Sequence, residues 1–140
     1  MIIYESVFSR LEFFKDDNFI EATWFATTED MTPEQYKEAM TNYLKFALEF
    51  KPKRALVNLQ NFLFTVSPTL QEWTESTMAK SLLKLGWKEM AMVVSPEFIS
   101  QLSVEQLMEE KLHQNFTTKY FPTKEEARKW IMSLSDSKSV

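Results

Sequence analysis

Arg54-Ala55-Leu56-Val57-Asn58-Leu59, then Gln60-Asn61-Phe62-Leu63-Phe64-Thr65-Val66, then Ser67-Pro68-Thr69-Leu70-Gln71-Glu72-Trp73, is the stretch on which the fold turns. The first six residues are short and mostly apolar, as a strand buried on both faces must be. Ser67-Pro68 then reads as a helix start, with a hydroxyl to cap the first turn and a proline whose missing N–H costs nothing there. That helix is expected to run to Gly86, the only glycine of the chain, at the position where a left-handed residue closes a helix. An inner strand feeding a helix is the unit of a parallel α/β sheet.

Outward from that unit the same alternation continues. Upstream, Thr32-Pro33-Glu34-Gln35 has the capping-box pattern, and Tyr36, Ala39, Met40, Tyr43, Ala47 and Phe50 recur at helical spacing until Pro52. Before it, Ile2 to Phe14 and Phe19 to Ala26 read as strands around the polar turn Lys15-Asp16-Asp17-Asn18, with Ile20, Ala22, Trp24 and Ala26 on one face. Downstream come a strand at Glu89–Val94, a helix capped by Ser103 with Gln106, a strand at Phe116–Phe121, and a helix capped by Thr123 with Glu126. Ala127, Trp130, Ile131 and Leu134 form its apolar stripe. The expectation is one α/β domain over residues 1–134 with a polar tail at 135–140. Its sheet is mixed and mostly parallel, of four to five strands, opened by an antiparallel hairpin and accompanied by four helices.

Composition bounds the chemistry. The chain has 140 residues, 44% of them hydrophobic and 14% aromatic, enough for a core without staples. Net charge is −4 with no basic face, which argues against nucleic acid as a partner. Lys51-Pro52-Lys53-Arg54 is the one basic cluster and is expected to be solvated. Absence of cysteine removes disulfides, thiolate nucleophiles and cysteine-ligated zinc. The start of the chain does not read as a signal peptide, and the longest apolar run, Met90-Ala91-Met92-Val93-Val94, cannot span a membrane. A cytoplasmic protein is the simplest reading.

One glycine cannot build phosphate-cradling or dinucleotide-binding loops. His113, with Glu109 one helical turn before it, is too little for a metal site and has no Ser-His-Asp partners in a recognisable motif. The paired carboxylates Asp16-Asp17, Glu29-Asp30, Glu109-Glu110 and Glu125-Glu126 fall in turns or exposed helical turns. No catalytic residue, cofactor or metal is expected.

What remains is the segment from Gln60 to Trp73. It lies at a strand's carboxyl end beside a helix N-terminus, where open α/β sheets bind their ligands. Thr65, Ser67, Gln71, Trp73, Phe62 and Phe64 are its candidate binding residues. Ser67 is placed either to cap its own helix or to carry a phosphate. Phe62, Leu63 and Phe64 are either core plugs, the favoured reading, or an exposed patch.

Several motifs in order, Leu56-Val57-Asn58-Leu59-Gln60-Asn61, Ser67-Pro68-x-x-Gln71-x-Trp73, Ala91-Met92-Val93-Val94-Ser95-Pro96-Glu97, Leu102-Ser103-Val104-Glu105-Gln106, Tyr120-Phe121 and Glu125-Glu126-Ala127-x-x-Trp130-Ile131, resemble the bacterial STAS/SpoIIAA-like domains, often grouped with the CRAL-TRIO fold. The resemblance covers nearly the whole chain. It implies a β-α superhelix without catalytic residues and a phosphorylatable serine at a helix start, for which Ser67 is the nearest position, with Thr65 beside it. Val66 stands where that family has Asp before the serine, and Asn58 where its strand commonly has Asp. Two functions follow as expectations. One is a regulatory module that contacts a protein partner over the edge around Thr65–Trp73. The other is a carrier of a small apolar, lipid-like ligand, suggested by the surplus of Phe, Trp and Met. Oligomeric state is left open.

Overall fold

A computed structural model describes residues 1–95 and 117–136. Six strands form one sheet in chain order: β1 (Ile2–Glu5), β2 (Ser9–Phe14), β3 (Phe19–Trp24), β4 (Arg54–Asn58), β5 (Glu89–Val93) and β6 (Thr117–Phe121). β1, β2 and β3 are antiparallel neighbours, whereas β3 to β6 run parallel. The sheet is therefore mixed and mostly parallel as expected, but with six strands rather than four to five. The difference lies in the first 26 residues. Ser6 turns the chain by accepting hydrogen bonds at Oγ from the N–H groups of Phe8 and Ser9, so Ile2–Phe14 is two strands.

Three helices are described: α1 (Pro33–Phe50), α2 (Pro68–Lys84) and α3 (Lys124–Asp136). The helix expected from Ser103, together with Glu109 and His113, lies outside the described residues. α3 continues two residues into the stretch expected as tail. A short 3-10 turn occupies Ala26–Asp30, so Ala26 leaves the strand and is exposed, against its expected place on the face of Ile20.

Helix ends follow their capping chemistry. At Thr32 both capping-box bonds form, Gln35 N–H to Thr32 Oγ1 at 3.1 Å and Thr32 N–H to Gln35 Oε1 at 2.9 Å. α1 closes on Lys51 in the left-handed region, at φ 50°. Beyond α2, Gly86 takes φ 68°, the conformation for which glycine was expected.

Strand alternation divides the core between the two faces. Ile20, Ala22 and Ala55 face α1 and α2, where Tyr43, Ala47 and Met78 close over them. Phe19, Leu56, Ala91 and Val93 face the other way and are covered by Ala127 and Ile131 of α3. Thus β4 is inner on both counts: paired in register on each edge and packed on each face.

Candidate functional site

The site begins where β4 ends. Asn58, buried at the last position of the strand, accepts the N–H of Gln60 at Oδ1, an Asx-type turn that stops the ladder. Leu59 still bonds to Val93 across the sheet, and Phe62 N–H closes onto Leu59 O. From Phe62 to Ser67 burial then alternates with a period of two. Phe62, Phe64 and Val66 turn inward; Leu63, Thr65 and Ser67 turn to solvent.

The inward set meets a third apolar cluster built on Trp24, Met31, Tyr36 and Leu70. Phe62 stands edge-on to Trp24 at 5.1 Å, and Phe64 stacks on Tyr36 at 5.3 Å. Trp73 meets Tyr36 edge-on at 6.5 Å. Each such pair contributes about 0.5–1.5 kcal/mol beyond area burial, so the loop is fastened along its length. Phe62 and Phe64 are core plugs. Leu63, expected with them, is the exception: it is 53% exposed, because one residue's shift in an alternating segment reverses its face. Its backbone N–H is held at 2.9 Å by Thr28 Oγ1, which ties this loop to the one after β3.

Ser67 caps α2, accepting Leu70 N–H at Oγ at 3.2 Å while its carbonyl accepts Gln71 N–H. Its side chain is exposed, as are Thr65 and Gln71. Trp73 is half-buried, with the Lys37 ammonium 5.5 Å from its ring centre. Tyr36 donates to Thr74 Oγ1 at 2.8 Å, because the threonine's own proton goes to Leu70 O. Burial raises the Tyr36 hydroxyl's pKa, and the bond to Thr74 partly opposes it. The structure thus brings three of the six candidate residues, Phe62, Phe64 and Trp73, onto one aromatic cluster, while Thr65, Ser67 and Gln71 are exposed.

Sequence reasoning missed a set of buried charges on the opposite face. Arg54, expected to be solvated, is 1% exposed: it is the first residue of β4 and shares the inward parity of Leu56. It reaches Glu89 Oε1 at 3.3 Å, and Arg54 Nη2 and Glu89 Oε2 are buried without a partner. Glu21, also 1% exposed, receives both prongs of Arg128 from α3, at 2.7 and 2.8 Å. The alternation of Glu21 with Phe19 was the readable signal for its burial; the reach of Arg128 across more than a hundred residues was not. Among the described residues no group of acidic, histidine or cysteine side chains is arranged to hold a metal. None of the described helices is long and apolar enough to cross a membrane.

A family model described as SpoIIAA-like matches residues 22–132, which spans β3 through most of α3. The chain belongs to the SpoIIAA-like family. Comparison with curated proteins and with solved structures returned no match. SpoIIAA-like domains are generally regulatory, protein-interacting and non-catalytic. The sheet and helices described above are the SpoIIAA-like fold.

Proposed function

We propose that this chain is a non-enzymatic regulatory module that contacts a protein partner through the β4–α2 edge, with Leu63, Thr65, Ser67 and Gln71 as the contacting side chains. One observation carries the reading: segment 62–67 is fastened by Phe62 and Phe64 while Leu63, Thr65 and Ser67 are exposed to solvent. A row held rigid before contact loses little conformational entropy on binding. An exposed leucine between two half-buried phenylalanines supplies an apolar anchor at its centre. Ser67 is the candidate phosphoacceptor. Its hydroxyl is exposed at the N-terminus of α2, and phosphate there would bring a charge of about −1.5 to −2 to a site whose dipole favours anions.

Affinity capture from the host lysate, quantified by mass spectrometry, tests the reading with wild type, Leu63→Asp/Thr65→Arg and Ser67→Glu. The outward side chains carry no core packing, so the double variant is expected to keep wild-type stability and to lose the captured partner. Ser67→Glu is expected to change the amount of that partner at least severalfold. The same proteins in the same amounts with all three baits would overturn the assignment.

A further inference from the structure

β1 is the outer strand of the sheet, and among the described residues its far side pairs with no other strand. An unpaired strand edge offers a row of N–H and C=O groups to any strand laid beside it, and proteins usually block such edges with lysine or proline. The opposite outer strand, β6, carries the exposed Lys119. From Met1 to Val7 there is neither lysine nor proline, and the one charged side chain, Glu5, is already paired with Arg10 at 2.6 Å. The register shift between Ile2 and Tyr4 brings both Ile3 and Tyr4 against the core beneath α1 and leaves Ile2 outside. Ile2 is 54% exposed and Val7 65%; with Met1 they are three of the five large apolar side chains exposed among the described residues.

α1 lies over this edge and runs against it. Asn42 Nδ2 donates to the Tyr4 hydroxyl at 3.2 Å, and the Phe46 ring centre stands 5.5 Å from that of Tyr4. Nearer the start of α1, Gln35, Glu38 and Ala39 border a recess shared with Ser6 and Val7. Glu38 and Lys45 stand four residues before and three after Asn42, so helical spacing puts them on the same side of α1 as Asn42. Both are exposed, and neither joins an ion pair among the described residues.

We propose that β1 is the contact surface for a second copy of this chain, paired antiparallel, edge to edge, about a two-fold axis. The sequence is self-complementary under one such axis. Centred between Tyr4 and Glu5, it sets Ile2 of each chain opposite Val7 of the other. Centred between Thr41 and Asn42 on α1, it sets Glu38 of each chain opposite Lys45 of the other. The two centres fall together on the molecule, because Tyr4 and Asn42 touch. One axis thus joins exposed apolar side chains to each other and unlike charges to each other. Four residues of edge strand fall short of the roughly 800 Å² per partner that specific interfaces bury, so α1 is a necessary part of the contact. This surface includes none of Leu63, Thr65, Ser67 and Gln71 and is independent of the regulatory contact proposed for them.

The chain has no cysteine, so single cysteines can report the pairing. Ile2→Cys and Val7→Cys proteins, mixed and mildly oxidised, are expected to yield at least about fivefold more covalent dimer than either alone, since only the unlike pair comes within disulfide reach. Sedimentation equilibrium of the full chain checks the charges. Wild type is expected to reach twice the monomer mass as concentration rises. Glu38→Lys places like charges at both symmetry-related contacts and should weaken the dimer by about tenfold. Glu38→Lys/Lys45→Glu restores opposite charges and should return to within about threefold of wild type. All these positions are exposed, so circular dichroism should show folded protein throughout. A wild type that stays monomeric, a mixture that cross-links no better than its components, a dimer indifferent to Glu38→Lys, or a charge swap that fails to rescue would each overturn the proposal.

Discussion

Tyr43 shows what a single atom can cost. Its ring packs edge-on to Trp87 at 6.3 Å beneath α1, and its hydroxyl is buried with no hydrogen-bond partner. Burial alone drives its pKa well above the ordinary tyrosine value, and burial also leads the rise at Tyr36. In the unfolded chain both ionise near pH 10, whereas in the folded chain both hold their protons to higher pH. A raised folded pKa means a contribution fully present below the unfolded value and lost as pH climbs through the interval between the two. Stability is therefore expected to be insensitive to these groups up to about pH 10. Above it, stability falls as pH rises, with Tyr43 leading the loss and Tyr36 adding to it in the same direction. Denaturant midpoints measured from pH 7 to 11 check this against Tyr43→Phe, which should show a shallower alkaline slope. Tyr43→Phe should lose nothing at pH 7, since the hydroxyl it removes makes no bond. An unchanged slope would sink the argument.

Between elements, the least legible tie is the strongest polar one. Arg128 of α3 clamps Glu21 of β3 in a two-pronged pair, and the Arg128 guanidinium pKa is raised first by its hydrogen bond to Glu21. Removing the cation strands a carboxylate that is 1% exposed. Arg128→Leu is expected to cost about 3 kcal/mol, while Glu21→Met/Arg128→Leu, which removes both charges, should return to within about 1 kcal/mol of wild type. Urea unfolding of wild type, Arg128→Leu, Glu21→Met and the double variant completes the cycle; equal losses in Arg128→Leu and the double variant would show that packing, not charge, holds α3 down. The contrast with the rest of the fold is physical. Helix starts at Thr32 and Ser67 and the glycine after α2 were readable because caps act within four residues. The inner position of β4 was readable because Ala55, Leu56 and Val57 put an apolar residue on each of its faces. Pairs that join β3 to α3 depend on how the sheet is wound, and local pattern does not contain that. The fold of residues 1–14 into two strands was hidden for a different reason: its turn is made by a side-chain bond at Ser6, not by glycine or proline. Within the site, Ser67 as cap and Phe62 and Phe64 as plugs were legible. Leu63 was not, because its exposure depends on the parity of a segment that has no ladder to set it.

Across the molecule, Lys51 and Ser67 stand beyond opposite ends of one strand. Lys51 precedes β4 and Ser67 follows it, and the five strand residues that lie between them span about 16 Å. Their stabilising roles are also unlike. Lys51 holds a left-handed helix end at a cost, and Ser67 satisfies an otherwise orphaned helix N–H. Replacing Lys51 by glycine should gain about 0.5–1 kcal/mol, and Ser67→Ala should lose about 1 kcal/mol. Sites so far apart with no shared partner are expected to add to within about 0.5 kcal/mol. Yet β4 is packed on both faces and paired on both edges, and such an inner strand is an element through which its two ends could be coupled. The double variant Lys51→Gly/Ser67→Ala distinguishes these cases by urea unfolding. An unfolding free energy equal to the sum of the single changes means that the two ends of the strand contribute to stability independently. A departure beyond about 1 kcal/mol would mean that the strand relays one end to the other, and separate tests of the two sites would then no longer suffice.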